Sequence, residues 1–170
     1  DRLGCEVWSS ANQGKYLIEE GTDDELGIPY AKQHGMYAQD YFYIHCPVDR
    51  AIEDGEKFTI HGIEFSAINV IGHCPDMLCF FAEIDGLRCL FNGDTVFFGG
   101  VIGLINYPMC SMEEYHIGLP KLKGLDVDAL LPGHGIFCLR GGQSHIDAGL
   151  VKLDSIFMPQ SVGQLFVSPL

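Results

Sequence analysis

The tightest local constraint in this chain is Asp85-Gly86, which sits between two apolar, strand-like runs at residues 77–84 and 87–91. An Asp-Gly pair accepts the positive φ angles that a two-residue hairpin turn demands. Residues 56–60 and 63–70 alternate in the same way around His61-Gly62, so residues 56–91 read as two consecutive hairpins. Downstream, residues 111–124 carry helical spacing opened by the capping box Ser111-x-x-Glu114, and Gly118 and Pro120 predict that this helix is kinked or split. Residues 126–131 form another apolar strand. A last helix is predicted from Ser144 to about Phe157, with Asp147 as its capping partner, and residues 164–167 read as a terminal strand. Ahead of the hairpins, residues 5–10 read as a short strand and 11–20 as a polar helix ending at Gly21. Residues 21–47, with four tyrosines, read as irregular. Hairpin, hairpin, helix, strand, helix is the order of an α/β sheet covered by helices on one side.

At 170 residues the chain suits one well-buried domain, 1–170. A hydrophobic content of 47% excludes a disordered chain. A net charge of −13 excludes nucleic acid as a partner, because phosphate neutralisation needs a basic face. The seven cysteines are an odd set without a Cys-x-x-Cys pair, which suits a reducing, cytoplasmic setting better than a disulfide framework. No apolar run reaches the roughly 18 residues a membrane span needs, so no membrane partner is expected. The chain opens on Asp1 directly ahead of a strand-like segment, which reads as a cut or an omitted leader.

Chemistry concentrates in three short stretches: Gly72-His73-Cys74-Pro75-Asp76, Phe91-Asn92-Gly93-Asp94-Thr95 and Leu131-Pro132-Gly133-His134-Gly135. Each follows an apolar run and places a His or Asp, framed by glycine, where the chain turns out of it. Strand ends in α/β sheets are where ligands bind, and a buried carboxylate such as Asp94 needs a partner. The gaps, 94 − 73 = 21 and 134 − 94 = 40 residues, each leave room to return to one sheet end. Two imidazoles and a carboxylate are ligands for Zn2+, and also for Fe or Mn.

These motifs, with the run from Pro47-Val48-Asp49-Arg50 to Ile71-Gly72-His73 and the later Glu113-Glu114-Tyr115 to Pro132-Gly133-His134, resemble the metallo-β-lactamase superfamily. The resemblance implies an αβ/βα sandwich with a dinuclear site at the sheet edge. His73 would serve the first metal, Asp94 would bridge both and His134 would serve the second, with two Zn2+ in the complete site. It further implies a metal-bound hydroxide attacking an ester, thioester, lactone or similar bond of a small-molecule substrate. An Asp rather than a Cys at position 94 places the resemblance nearest to glyoxalase-II-like members.

Two departures accompany it. The superfamily's His-x-His-x-Asp-His cluster is absent from this sequence, so the fold is expected to be N-terminally truncated and the site incomplete. The alternative reading is a non-catalytic fragment or assembly module, inactive without that half. Such a chain would pair with a second copy or with the missing N-terminal segment across an exposed sheet edge. After Gly72-His73, Cys74-Pro75-Asp76-Met77 also replaces the more usual Thr-Pro-Gly-Ser or His. Asp76 reads as a solvent-facing turn residue and Cys74 as a bystander thiol. His116 and His145 read as surface residues near helix starts, and His45, Tyr41 and Tyr43 are candidates for a substrate mouth.

Overall fold

A computed structural model of the chain describes residues 4–107 and 109–155. The chain forms two compact units, Asp1–Glu53 and Asp54–Leu170.

In the first unit, β1 (Trp8–Ser10) leads to α1 (Gly14–Glu20), α2 (Ile28–Gln33) and β2 (Arg50–Ile52), and β2 pairs parallel to β1. The Arg50 guanidinium lies 4.5 Å over the Trp8 ring, and the Val7 N–H donates to Asp49 at 2.8 Å. α2 falls inside the stretch that the sequence reads as irregular. It starts after Gly27, whose φ is 66°, with Pro29 in its first turn, and it buries Ile28 and Ala31. Pro pre-sets the φ of a first helical turn, so two residues that read as loop punctuation here start a helix.

The second unit contains β3 (Lys57–Ile60), β4 (Ile63–Asn69), β5 (Leu78–Ile84), β6 (Leu87–Gly93), β7 (Val96–Phe97), β8 (Val101–Ile102), α3 (Met112–Gly118), β9 (Ala129–Pro132) and α4 (Gly142–Leu153). Its main sheet has five strands in the order β3-β4-β5-β6-β9. Both hairpins form as the sequence predicts. His61 and Gly62 have φ of 49° and 84°, and Asp85 and Gly86 have 51° and 77°, which are the positive angles of a type I′ turn. β4 and β6 are each antiparallel to β5, and β9 is parallel to β6. β4, β6 and β9 therefore run the same way and end at one edge of the sheet.

Alternation along the strands gives the sheet two unlike faces. Cys79, Leu90 and Leu130 join Tyr115, Leu119, Leu122, Ile146 and Leu153 from α3, α4 and the 3₁₀ segment between them in one buried core. The other face carries Phe58, Phe65, Phe80 and Phe91 in mutual ring contact at 5.6–6.2 Å.

The predicted split of the third helix is present: α3 ends at Gly118 and a 3₁₀ segment (Leu119–Leu122) opens with Pro120 in its first turn. Ser111 caps α3, its Oγ accepting from the Glu114 N–H at 3.2 Å. The Ser111 N–H donates to the Gly72 carbonyl at 2.9 Å instead of to the Glu114 side chain, so the cap also ties α3 to the loop after β4. α4 starts at Gly142, two residues before Ser144. Its N-cap is Gly141 in the left-handed region, and Ser144 lies in the first turn, its hydroxyl donating to the Gly141 carbonyl at 2.7 Å. Asp147 accepts from Gln143 at 2.9 Å rather than closing a cap. Phe157 and residues 164–167 lie outside the described residues. Among the described residues, no helix is long and apolar enough to cross a membrane.

Candidate metal centre

His73, Asp94 and His134 all follow strands that end at the shared sheet edge: β4, β6 and β9. Ahead of His73, Gly72 has φ 135°, and a Cβ there would come within 2.5 Å of the Tyr115 ring. Only glycine lets the chain pass this close to α3. The His73 ring then meets the Gly103 carbonyl, with Nδ1 2.6 Å from the oxygen. A carbonyl only accepts, so Nδ1 carries the hydrogen and, in the neutral ring, Nε2 is left with a lone pair.

That lone pair faces Asp94, with His73 Nε2 3.7 Å from Asp94 Oδ2. From the other side, His134 Nε2 lies 3.5 Å from the same oxygen. His134 is brought there by β9, which pairs with β6 through a register shift at Phe91/Gly93, and by the Gly133 N–H, which donates to the Gly93 carbonyl at 2.7 Å. The second carboxylate oxygen, Asp94 Oδ1, is buried without a hydrogen-bond partner among the described residues. The side chains of His73 and Asp94 are mostly covered, while that of His134 is 77% exposed.

This donor set fits a cation. A neutral imidazole nitrogen opposite a carboxylate oxygen sets two electron-rich atoms against each other, and a buried carboxylate oxygen without a donor carries a desolvation cost. Two ligands each about 2.0–2.2 Å from a tetrahedral cation stand roughly 3.4 Å apart, close to the separations seen here. A metal-ligating His also typically donates its other ring N–H to a backbone carbonyl, as His73 does. The set is partial: among the described residues, no group of three or more His, Cys, Asp or Glu side chains converges on one point that could hold a metal ion.

Around these residues stand supports for which the sequence gives little signal. The Tyr115 hydroxyl donates to the carbonyls of Asp94 and Thr95 at 3.3 and 3.2 Å. The Cys110 thiol donates to the His73 carbonyl at 2.8 Å. Tyr115 is recognisable only as an apolar-face residue one turn after the Ser111 cap, and Gly103 and Cys110 carry no signal at all. Burial pushes the Cys74 thiol up from its ordinary pKa, followed in importance by the lowering contact with the Asp76 N–H. Asp76 is half-buried rather than solvent-facing.

Three further histidines, His116, His145 and His45, have backbone partners. His116 places Nδ1 2.9 Å from the Met112 carbonyl and Nε2 3.1 Å from the Leu153 carbonyl, joining α3 to the end of α4. His145 lies within α4, and its Nδ1 accepts the Gly99 N–H at 3.1 Å. In the first unit, His45 Nδ1 lies 3.1 Å from the Ile18 carbonyl and its ring meets Tyr43 edge-on, while Tyr41 packs on Tyr37. His45, Cys46 and Pro47 line a cavity of about 310 Å³ with Glu19 and Glu20.

No protein-family model matches the chain. Among curated proteins it is 34% identical over 95 residues to an atrochrysone carboxyl ACP thioesterase of Aspergillus fumigatus, covering 56% of this chain and 28% of that protein. It is 31% identical over 115 residues to a lactamase-like protein of Penicillium aethiopicum, covering 66% of this chain and 35% of the other. With a hydroxyacylglutathione hydrolase of Marinomonas sp. the identity is 26% over 132 residues, covering 76% and 49%. The chain thus spans half the length of these relatives or less. Among solved structures, a metallo-β-lactamase superfamily protein of Sulfolobus tokodaii aligns with a TM-score of 0.64 at 19% identity, over 89% of this chain and 59% of that one. A metallo-β-lactamase family protein of Thermus thermophilus aligns with a TM-score of 0.62 at 16% identity, over 88% and 53%.

Proposed function

We propose, on the premise that the chain has the fold of metallo-β-lactamase superfamily proteins, that it supplies part of the metal site of a hydrolase acting on an ester, thioester or lactone. The observation that carries this reading is the placement of one Asp94 carboxylate oxygen between the Nε2 atoms of His73 and His134. Thioesters lead the substrate class because relatives named as an ACP thioesterase and a hydroxyacylglutathione hydrolase align with the chain.

His73, Asp94 and His134 would hold the metal, two Zn2+ in the full site, with Fe or Mn accepted by the same donors. When bound, the metal would supply a Lewis acid that polarises the carbonyl under attack and activates water at neutral pH. The chain's own residues do the positioning. Gly103 fixes the His73 tautomer and ring plane through Nδ1. Tyr115 holds the main chain at Asp94. Gly133 ties the His134 loop to the strand that carries Asp94. His134 is the exposed member of the three, which supports assigning it to the side open to a small-molecule substrate. All seven cysteines are free, in keeping with a cytoplasmic setting.

Zinc titration of the metal-free chain, followed by calorimetry and thermal unfolding, tests this reading. Stoichiometric binding with a rise in Tm is expected, lost in His73→Ala, Asp94→Ala and His134→Ala. A Tm indifferent to Zn2+, Fe2+ and Mn2+ would sink it. The exposed edge strand β3 favours a second reading, an assembly module of the same fold that pairs across that edge. That reading requires an oligomer whose formation ignores metal.

A further inference from the structure

We infer that His145 is a positioning residue for the candidate site, anchoring through Gly99 the hairpin that carries Asp94 at one base and the His73 partner Gly103 at the other. The inference rests on the metal-site reading for its functional consequence and on geometry alone for the anchor itself.

The hairpin leaves Asp94 and Thr95, runs along β7, turns through Phe98-Gly99-Gly100 and returns along β8 to Gly103. Its bases touch: the Gly103 N–H donates to the Thr95 carbonyl at 3.3 Å, and a Cβ on Gly103 would overlap the Asp94 carbonyl oxygen. Any shift of the hairpin therefore moves the main chain at Asp94 and the carbonyl that orients His73 together.

At the far end, α4 holds both polar groups of one peptide residue. The Gly99 N–H donates to His145 Nδ1 at 3.1 Å, and the Gly99 carbonyl accepts from Lys152 Nζ at 2.6 Å. The His145 ring also packs on Phe98 with centroids 4.2 Å apart, and Gly100 lies so near Gly149 that a Cβ would meet its nitrogen at 2.5 Å. Gly99 itself has φ 75°, an angle that bulky residues avoid.

Accepting at Nδ1 requires the neutral ring with its hydrogen on Nε2. Burial pushes His145 below its ordinary 6.5, which favours that form. Protonation would remove the acceptor and set a second cation beside the Lys152 ammonium on the same residue. Among the described residues, β7, the turn, β8 and β9 carry no charged residue, and Asp154 caps the far end of α4. On α4, Asp147 is engaged by Gln143, and Lys121 of the 3₁₀ segment is engaged by Asp54. The sign follows: with its folded pKa depressed, His145 contributes stability present above 6.5 and lost as pH falls through the folded value. The anchor is acid-labile.

Amide hydrogen exchange by NMR, with zinc calorimetry, on the full chain tests this. At pH 7.5, His145→Ala is expected to lower the protection of the Gly99 amide at least about tenfold while the Leu90 core amide keeps its own. It should also weaken Zn2+ binding by roughly tenfold, the scale of losing an outer-shell partner. His145→Asn, whose Oδ1 stands near the former Nδ1, should restore both. In the wild type, Gly99 protection should fall along the titration curve of the His145 ring. Unchanged Gly99 protection in His145→Ala, or His145→Asn behaving like alanine, overturns the inference. If His145→Ala does not fold, the wild-type titration decides: protection that stays flat while His145 protonates overturns it. Should the wild type bind no zinc, the metal reading fails, while Gly99 protection still judges the anchor.

Discussion

The Tyr115 ring occupies the space that a side chain on Gly72 would need, with ring carbon Cγ only 2.5 Å from the position of a Cβ. Gly72 also has φ 135°, so a substitution there meets both a clash and a backbone penalty. Gly72→Ala is expected to cost about 3 kcal/mol or more of unfolding free energy. Tyr115→Phe, which keeps the ring but removes the hydroxyl shared by the Asp94 and Thr95 carbonyls, should cost only about 1–2 kcal/mol. Urea unfolding of the two variants checks the order; equal losses would contradict the packing described.

Asp94 should trade stability against metal binding. Its Oδ1 is buried without a partner among the described residues, and a neutral amide is cheaper to bury than a carboxylate. In metal-free solution Asp94→Asn is therefore expected to gain about 1 kcal/mol, a rise of a few degrees in Tm. The same variant should show no further rise with Zn2+. Calorimetric scans with chelator and with zinc measure both; a variant less stable than wild type in chelator would contradict the expectation.

The cysteines should divide sharply by reactivity. Burial pushes the Cys79 thiol up to about 12, an effect only partly offset by the Thr95 hydroxyl, whereas Cys5 and Cys46 are exposed. Because the thiolate is the reactive form, iodoacetamide at pH 8 should label Cys5 and Cys46 within minutes and leave Cys79 untouched until denaturant is added. Peptide mass mapping reads the result directly.

Acid should loosen the join between β6 and β9. The Arg88 guanidinium donates to Asp128 at 3.1 and 3.3 Å, and the Arg88 N–H adds a bond at 3.0 Å. These hydrogen bonds, the guanidinium's first, hold the Asp128 carboxyl below its ordinary 3.8. With the folded pKa depressed, the contribution is present above 3.8 and lost as pH falls through the lowered value. The pair is only partly buried, so salt should shrink its effect. Asp128→Asn should flatten the acid limb of the stability curve below about pH 4, and acid titrations at low and high salt would expose any failure.

What the sequence reveals and what it hides have physical reasons. Both hairpins are legible because Asp85-Gly86 and His61-Gly62 act within two residues, with no help from distant contacts. The gathering of His73, Asp94 and His134 at one edge is legible from their glycine-framed strand ends. α2 is hidden because a six-residue helix has too few turns to show a period and opens with turn-forming residues. β7 and β8, at two residues each, are shorter than any alternation can reveal. The bond from His73 to Gly103 spans 30 residues, and the hold of His145 on Gly99 spans 46. Neither leaves a periodic trace, because each depends on how finished elements meet.

The contact between the Gly103 main chain and the Asp94 carbonyl sets how closely the two bases of the hairpin approach by main-chain atoms on both sides. Neither side of that contact is a side chain that could be trimmed or enlarged, and the Tyr115 hydroxyl closes it from the core side. Position 103 works as a fixed gauge block. Sequences sharing this arrangement should vary freely in the apolar residues behind it and scarcely at all at that glycine.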